Sequence, residues 1–290
     1  MVQLAKYHGT GNEFFIVDAD EGVADRRGFA RRVCDRDTGV DHPDAARVGA
    51  DGVCFLALED SFAPPRIVMT LVQPDGSIAP MCGNAAACAA TWAANRTGAT
   101  EIMIDTQSGT REATVDGDTV TVEMGTPTCA PAAVPVDSTG PIIEEEIAGL
   151  DITAVKADIP HAVAFVDDPD AVDLDDVGPV VRNHDLFPRG ANLTVATETG
   201  DGAFEQRTYK HGVEDEINSC GTGAVAVVAA ARELDLVADD ESTTVEYPGG
   251  TLTVRRDARG VELESTIDRV FTGEAFAEES PSVRPAAADD

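Results

Sequence analysis

Lysine is scarce in this 290-residue chain: Lys6, Lys156 and Lys210 are the only three. Basic side chains total 21 against 53 acidic ones, for a formal net charge of −32. Such a surface repels phosphate backbones and anionic lipid heads, which excludes nucleic-acid and membrane partners. Long apolar runs are missing too. The longest, around residues 224–231, falls well short of the roughly 20 residues a membrane span needs. The opening MVQLAKYHG has no charged segment followed by an apolar one, so a cytoplasmic location is expected. No CxxC occurs, and Cys34, Cys54, Cys82, Cys88, Cys129 and Cys220 are not grouped with histidines at zinc-like spacing. Neither a structural metal nor a disulfide scaffold is expected. The dinucleotide fingerprint GxGxxG is absent as well, because in HGTGN the third glycine is replaced by Phe14.

The acids are spread along the whole chain rather than gathered in one block. They read as the solvated, lysine-poor surface of a protein adapted to a high-salt cytoplasm, and they say nothing about substrate. Short β-branched or alternating runs at residues 13–17, 53–58, 66–72, 101–104, 113–115 and 119–123 predict strands. Ala-rich stretches at 85–94 and 223–233 predict buried helices, and the mixture gives an α+β class. Residues 126–149 hold prolines and small residues unsuited to a central strand, which divides the chain into halves of 1–126 and 127–270. The second half repeats the pattern, with strands expected at 162–166, 192–197, 203–209, 243–247 and 251–255, and a hairpin turn at the PGG of 248–250. Residues 278–290 read as a disordered acidic tail.

The halves echo one another. Cys82-Gly83-Asn84-Ala85-Ala86 matches Cys220-Gly221-Thr222-Gly223-Ala224, each Cys-Gly pair opening an Ala-rich helix. A weaker echo links HGTGNEFFIVD from His8 with HAVAFVD from His161. Duplication places two cysteines at two helix N-termini. There, unpaired N–H groups and a partial positive charge stabilise a thiolate and bind a carboxylate. Gly83 and Gly221 are expected to leave room for that carboxylate. Inverting an α-carbon takes a base on one face and an acid on the other. Two cysteines converging on one pocket supply both, exchange roles when the reaction reverses, and need no PLP or other cofactor. Cys34, Cys54, Cys88 and Cys129 lack the repeated setting and read as small hydrophobes.

At these residues the chain resembles the diaminopimelate epimerase family. KYHGTGNEFFIVD, CDRDTG followed by VGADGV, PDGSIAPMCGN, FPRGANLTVA and NSCGTGA are similar to family blocks, in order. A polar segment, DHPDAAR, interrupts the second of them. The resemblance implies two pseudo-symmetric domains, each a curved, mostly antiparallel sheet wrapped around a central helix, with the last strand, about 271–277, returning to the first. It implies Cys82 and Cys220 as catalytic residues. Asn12, Gln73, Gly83, Asn84, Asn192, His211, Gly221 and Thr222 are implied as substrate-binding positions, and His161 and Lys210 as groups that tune the thiols. It further implies a homodimer, a cleft that closes to expel water, and interconversion of LL- and meso-2,6-diaminopimelate in lysine biosynthesis.

Departures gather where the family reads the far end of its substrate. Gln73 and Ile159 stand where asparagines are usual, and Lys210-His211 stands for Glu-Arg. Two alternatives follow: a same-fold racemase or epimerase of the proline or hydroxyproline type, and a catalytically silent amino-acid-binding relative. Asn84 after Met81-Cys82-Gly83 favours the diaminopimelate branch.

Overall fold

The computed structural model describes residues 1–200, 202–210, 214–238, 242–257 and 260–277. His211 and the expected acidic tail lie outside the described residues.

Two sheet halves, joined into one hydrogen-bonded sheet by a shared strand and each bent around one helix, make up the molecule. In the first half, Val2–Gly9 pairs antiparallel with Asn12–Asp18, which runs parallel to Val53–Glu59. The ladder continues through Arg66–Val72, Glu101–Thr106, Gly109–Asp116 and Thr119–Glu123. In the second half, Leu150–Ala157, Ile159–Phe165, Asn192–Gly200, Ala203–Lys210, Thr243–Tyr247 and Gly250–Asp257 follow in the same alternation of antiparallel and parallel pairings. The repeat is thus explicit in the topology. The strand Gly260–Ala275 serves both halves. It pairs with Gly250–Asp257, with Thr119–Glu123 and with Val2–Gly9, closing the first sheet on itself. Residue 270, the far end of the second half as read from sequence, lies inside this continuous strand.

Four α-helices occupy equivalent places in pairs among the described residues: α1 (Arg26–Cys34) with α3 (Leu174–Arg182), and α2 (Gly83–Thr97) with α4 (Gly221–Glu233). The α2 and α4 pair runs inside the sheets, and nearly every residue from Gly83 to Ala93 and from Gly221 to Ala231 is buried. An axis enclosed on all sides favours small side chains, so these segments are rich in alanine and show no apolar stripe, with Trp92 the one large buried side chain of α2. Both helices belong to one core cluster that spans the halves, including Ile104, Val122, Val228 and Leu263. The α1 and α3 pair covers the outer faces over separate clusters.

Residues 126–149 are not a free linker: Val134 and Ile142 are buried in the second half, and Thr128 bridges to Lys156. The hairpin at 248–250 forms with Tyr247 opposite Gly250. Two helices escaped the periodicity reading. α1 carries four arginines, and α3 carries Pro179 inside it, close to its C-terminus. The weaker echo shifts by register. Asn12–Asp18 and Ile159–Phe165 are the second strands of their halves, so aligning Asp18 with Asp167 sets His161 opposite Asn12 rather than His8.

Candidate active site

Cys82 is the N-cap of α2 and Cys220 the N-cap of α4; both are extended, and neither sulfur caps its own helix. A cysteine in that role leaves its side chain free while its carbonyl begins the helix, as in the bond from Ala224 N–H to the Cys220 carbonyl (3.0 Å). The Tyr247 hydroxyl also donates to the Cys220 carbonyl, anchoring the α4 start to the sheet.

The two helix starts touch. A Cβ built on Gly221 would lie 3.6 Å from Gly83 Cα and 2.6 Å from Leu263 Cδ2, and one on Gly83 would also lie 2.6 Å from Leu263 Cδ2. At both positions the space for a side chain is taken by Leu263 of the shared strand, while the two helix starts themselves meet at ordinary van der Waals distance. Sequence reasoning expects room for a carboxylate here and does not anticipate this contact.

A cavity of about 370 Å³ is lined by both cysteines. Asn12, Gln73, Asn192, Lys210, Gly221 and Thr222 from the expected set line it too. Gly83 and Asn84 do not. Asn84 is fully buried, and its Nδ2 donates to Thr10 Oγ1 (3.3 Å) and Ser219 Oγ (3.1 Å), fastening the two halves together behind the cavity. His161 is also fully buried, one bond removed from the sulfur: its Nε2 lies 3.0 Å from Thr222 Oγ1, which lies 3.4 Å from Cys220 Sγ. Asn192 Nδ2 approaches His161 Nε2 at 3.4 Å.

Four participants were not anticipated from sequence. Ser219 and Thr10, 2.6 Å apart, link the halves. Arg189 lines the cavity, is exposed, and pairs with no carboxylate among the described residues. Asp51 lies beneath Asn12. Signals for two of them existed: Ser219 directly precedes Cys220, and Asp51 belongs to the VGADGV block.

Burial dominates the electrostatics of the thiols for which a shift is resolved. Burial pushes Cys34, Cys54 and Cys88 up, deep in the core, and Cys129 up to about 11. Burial also raises Cys82, opposed by the Lys210 ammonium and by backbone N–H groups of Ala85 and Asn84. The helix end thus moderates the cost of removing this sulfur from water without overcoming it. Burial, aided by Lys210, lowers His161 to about 3, so its imidazole is neutral. The arrangement can hold two sulfurs at adjacent helix starts, each with fixed N–H dipoles, around one small ligand. No group of three or more potential metal-ligating side chains exists among the described residues, and no helix there is long and apolar enough to cross a membrane.

The family model described as Diaminopimelate epimerase matches residues 4–130 and 153–275. The diaminopimelate epimerase of Methanocella arvoryzae is 36% identical over 284 residues, covering 94% of this chain and 96% of that protein. That of Archaeoglobus fulgidus is 32% identical over 282 residues, covering 94% and 95%. The fold is shared with a hydroxyproline epimerase structure from Agrobacterium vitis: TM-score 0.64, 17% identity, 94% of this chain and 90% of that one. It is also shared with a PhzF-family phenazine biosynthesis protein from Bacillus anthracis: TM-score 0.64, 15% identity, 95% and 99%. At such identities the solved structures speak for the fold alone.

Proposed function

The chain belongs to the diaminopimelate epimerase family of isomerases, and from that premise we propose that its cavity interconverts LL- and meso-2,6-diaminopimelate with Cys82 and Cys220 as the two proton-transfer groups. The observation that carries this reading is the pair of cysteine N-caps on touching helix starts, both lining one cavity. The substrate α-carbon sits between the sulfurs. A thiolate on one side takes the α-proton, and the thiol on the other returns a proton to the opposite face. The sulfurs thereby exchange protonation states, and the reverse reaction restores them. The α-carboxylate lies at the helix starts, where unpaired N–H groups stabilise the negative charge that grows on deprotonation.

Asn12, Gln73, Asn192 and Thr222 are the neutral polar contacts in this reading, and Lys210 and His161 tune the thiols. Arg189 offers the fork that a second carboxylate needs, and Asp75, which also lines the cavity, suits the second ammonium. This pairing supports a substrate charged at both ends, and Arg189 takes over from the family arginine in whose place His211 stands. We place the enzyme in a high-salt cytoplasm on the strength of its net charge of −32. A homodimer is the assembly the family resemblance implies, and sedimentation in molar salt tests it.

The deciding experiment incubates the protein in deuterated high-salt buffer with LL-diaminopimelate, L-proline or trans-4-hydroxy-L-proline. Exchange at the α-position of diaminopimelate, with appearance of the meso form, is the expected result. Exchange confined to proline or hydroxyproline transfers the site to that substrate class, and binding without exchange ends the two-base reading.

A further inference from the structure

Five charged side chains lie under the loop that carries Asn12, and none of them lines the cavity. Lys6, fully buried, holds Glu13 at 2.9 Å. Arg36 and Arg47 reach the other Glu13 oxygen at 2.8 and 3.1 Å. Both arginines also face Asp51: Arg36 pairs with Oδ1, and Arg47 Nη2 lies 3.8 Å from Oδ2. Arg47 comes from the polar segment that interrupts the family block, and it also donates to the Gly11 carbonyl at 2.7 Å. The segment therefore buttresses the Asn12 loop. Asp51 Oδ2 accepts from the Glu13 backbone N–H at 2.8 Å and from Asn12 Nδ2 at 2.7 Å.

This last bond decides which way the Asn12 amide faces. A carboxylate flanked by two guanidiniums is ionised and can only accept. The group Asn12 turns toward it must be the NH₂, which leaves Oδ1 on the cavity side, 3.8 Å from Cys82 Sγ and within reach for a sulfur donor. A carbonyl oxygen beside a sulfur accepts from a thiol and repels a thiolate. The other half is built alike. His161, opposite Asn12 by register, reaches Cys220 through Thr222, and is itself met by Asn192 at the start of the third strand. In each half a polar side chain on the second strand serves the sulfur, and a residue at or just before the third strand orients that side chain.

We propose that Asp51 is a positioning residue: by accepting from Asn12 it locks the amide with Oδ1 toward Cys82, which holds that cysteine as the protonated partner in the free enzyme. The proposal rests on the reading of this cavity as a two-cysteine site, and it names Cys82 as the acid waiting for the first proton transfer. Burial of Cys82 acts in the same direction.

The test measures the pH profile of Cys82 alkylation by iodoacetamide, resolved from Cys220 by peptide mass spectrometry, in substrate-free protein at high salt. Asp51→Asn can present an oxygen or an NH₂ to Asn12, which frees the amide to turn its Nδ2 toward the sulfur. The Cys82 midpoint then falls by about one pH unit, a roughly tenfold gain in thiolate below the midpoint. In an Asn12→Ala background the same substitution leaves the midpoint where Asn12→Ala alone puts it, because the coupling runs through Asn12. An unchanged midpoint, or an equal shift in both backgrounds, overturns the proposal. Asp51→Asn also strips Arg36 and Arg47 of a counter-charge, so a second variant combines Asn12→Asp with Asp51→Asn. This exchange conserves charge and keeps an acceptor toward the sulfur, so its midpoint stays at or above that of the unaltered protein; a fall also overturns the proposal. The α-hydrogen exchange assay on the same unaltered protein is independent. Its failure removes the proposed function and leaves the thiol titration meaningful.

Discussion

Substituting Gly221 by alanine tests how closely Leu263 of the shared strand packs against the α4 start. The new methyl would sit 2.6 Å from Leu263 Cδ2, where ordinary contact begins at 3.4 Å, so something must yield by about 1 Å. Overpacking of this kind costs about 1–3 kcal/mol. Replacing glycine in a helix returns about 0.5–1 kcal/mol of conformational entropy. The net is a loss of about 1–2 kcal/mol, and in a chain of this size Tm falls roughly 2–4 °C per kcal/mol. Activity suffers more than stability. A displacement near 1 Å at the residue following Cys220 moves the sulfur relative to the α-carbon, and misplacement on that scale costs about a hundredfold in rate. Calorimetry in molar salt and α-hydrogen exchange read the two effects separately. Leu263→Ala costs about 2–5 kcal/mol alone through its cavity, but it vacates the space the new methyl needs. The double variant should therefore be less destabilised than the sum of the singles by about 1 kcal/mol or more. Strict additivity, or a Gly221→Ala protein with unaltered Tm and exchange rate, would refute the packing argument.

Cys82→Ala or Cys220→Ala alone is expected to abolish epimerisation while the far-UV spectrum and Tm stay close to those of the unaltered protein; turnover surviving in either variant ends the two-base mechanism. Arg189→Ala should raise KM for diaminopimelate about tenfold or more with a smaller change in kcat, since an exposed guanidinium facing the cavity supplies binding to a group remote from the reacting carbon; an unchanged KM removes Arg189 from the site. His161, neutral in the fold with its pKa lowered to about 3, takes up a proton near pH 6.5 once unfolded. Its contribution to stability is intact above about pH 6.5 and declines as pH falls toward 3, by up to about 1.4 kcal/mol per unit. Urea melts at pH 6 and pH 4 should therefore show a shallower acid loss in His161→Gln than in the unaltered protein, and equal slopes would contradict the buried neutral imidazole.

Much of this architecture is legible in the chain because duplication writes it twice. Thr119–Glu123 and Thr243–Tyr247 are recovered to the residue because each alternates cleanly between sheet faces, and Arg66–Val72 because its apolar, β-branched run is bounded by Pro64-Pro65 and Pro74. Cys82 and Cys220 stand out by their shared Cys-Gly-x-x-Ala setting. Other features are silent for physical reasons. α1 packs only one face on the sheet, and its arginines obscure the apolar spacing of Phe29, Val33 and Cys34. The strand Gly260–Ala275 alternates in places with charged residues, and nothing local reveals that it serves both halves. Arg189 is a lone exposed cation in a loop, visible as a candidate only once the cavity exists. Asp51 lies far in sequence from Cys82, and its bearing on that sulfur passes through an amide whose orientation no linear pattern encodes.

The same contact that makes Gly221 sensitive also constrains how the site closes. A cleft that brought two distant cysteines together would keep its helix starts apart when open, with solvent between them. Here the Gly83 and Gly221 backbones already adjoin, Leu263 of the shared strand wedges against both, and Asn84 joins Thr10 to Ser219 across the halves. Swinging the sulfurs toward each other would break the Asn84 bonds and slide two close-packed backbones past one another. Motion that spares these contacts must instead move the cavity walls, the stretches holding Gln73 to Met81 and Arg189 to Ala191, about a fixed pair of thiols. In the proposed mechanism, movement of those walls desolvates the α-carbon and brings Arg189 onto the far end of the substrate, around two helix starts that already adjoin in the free protein.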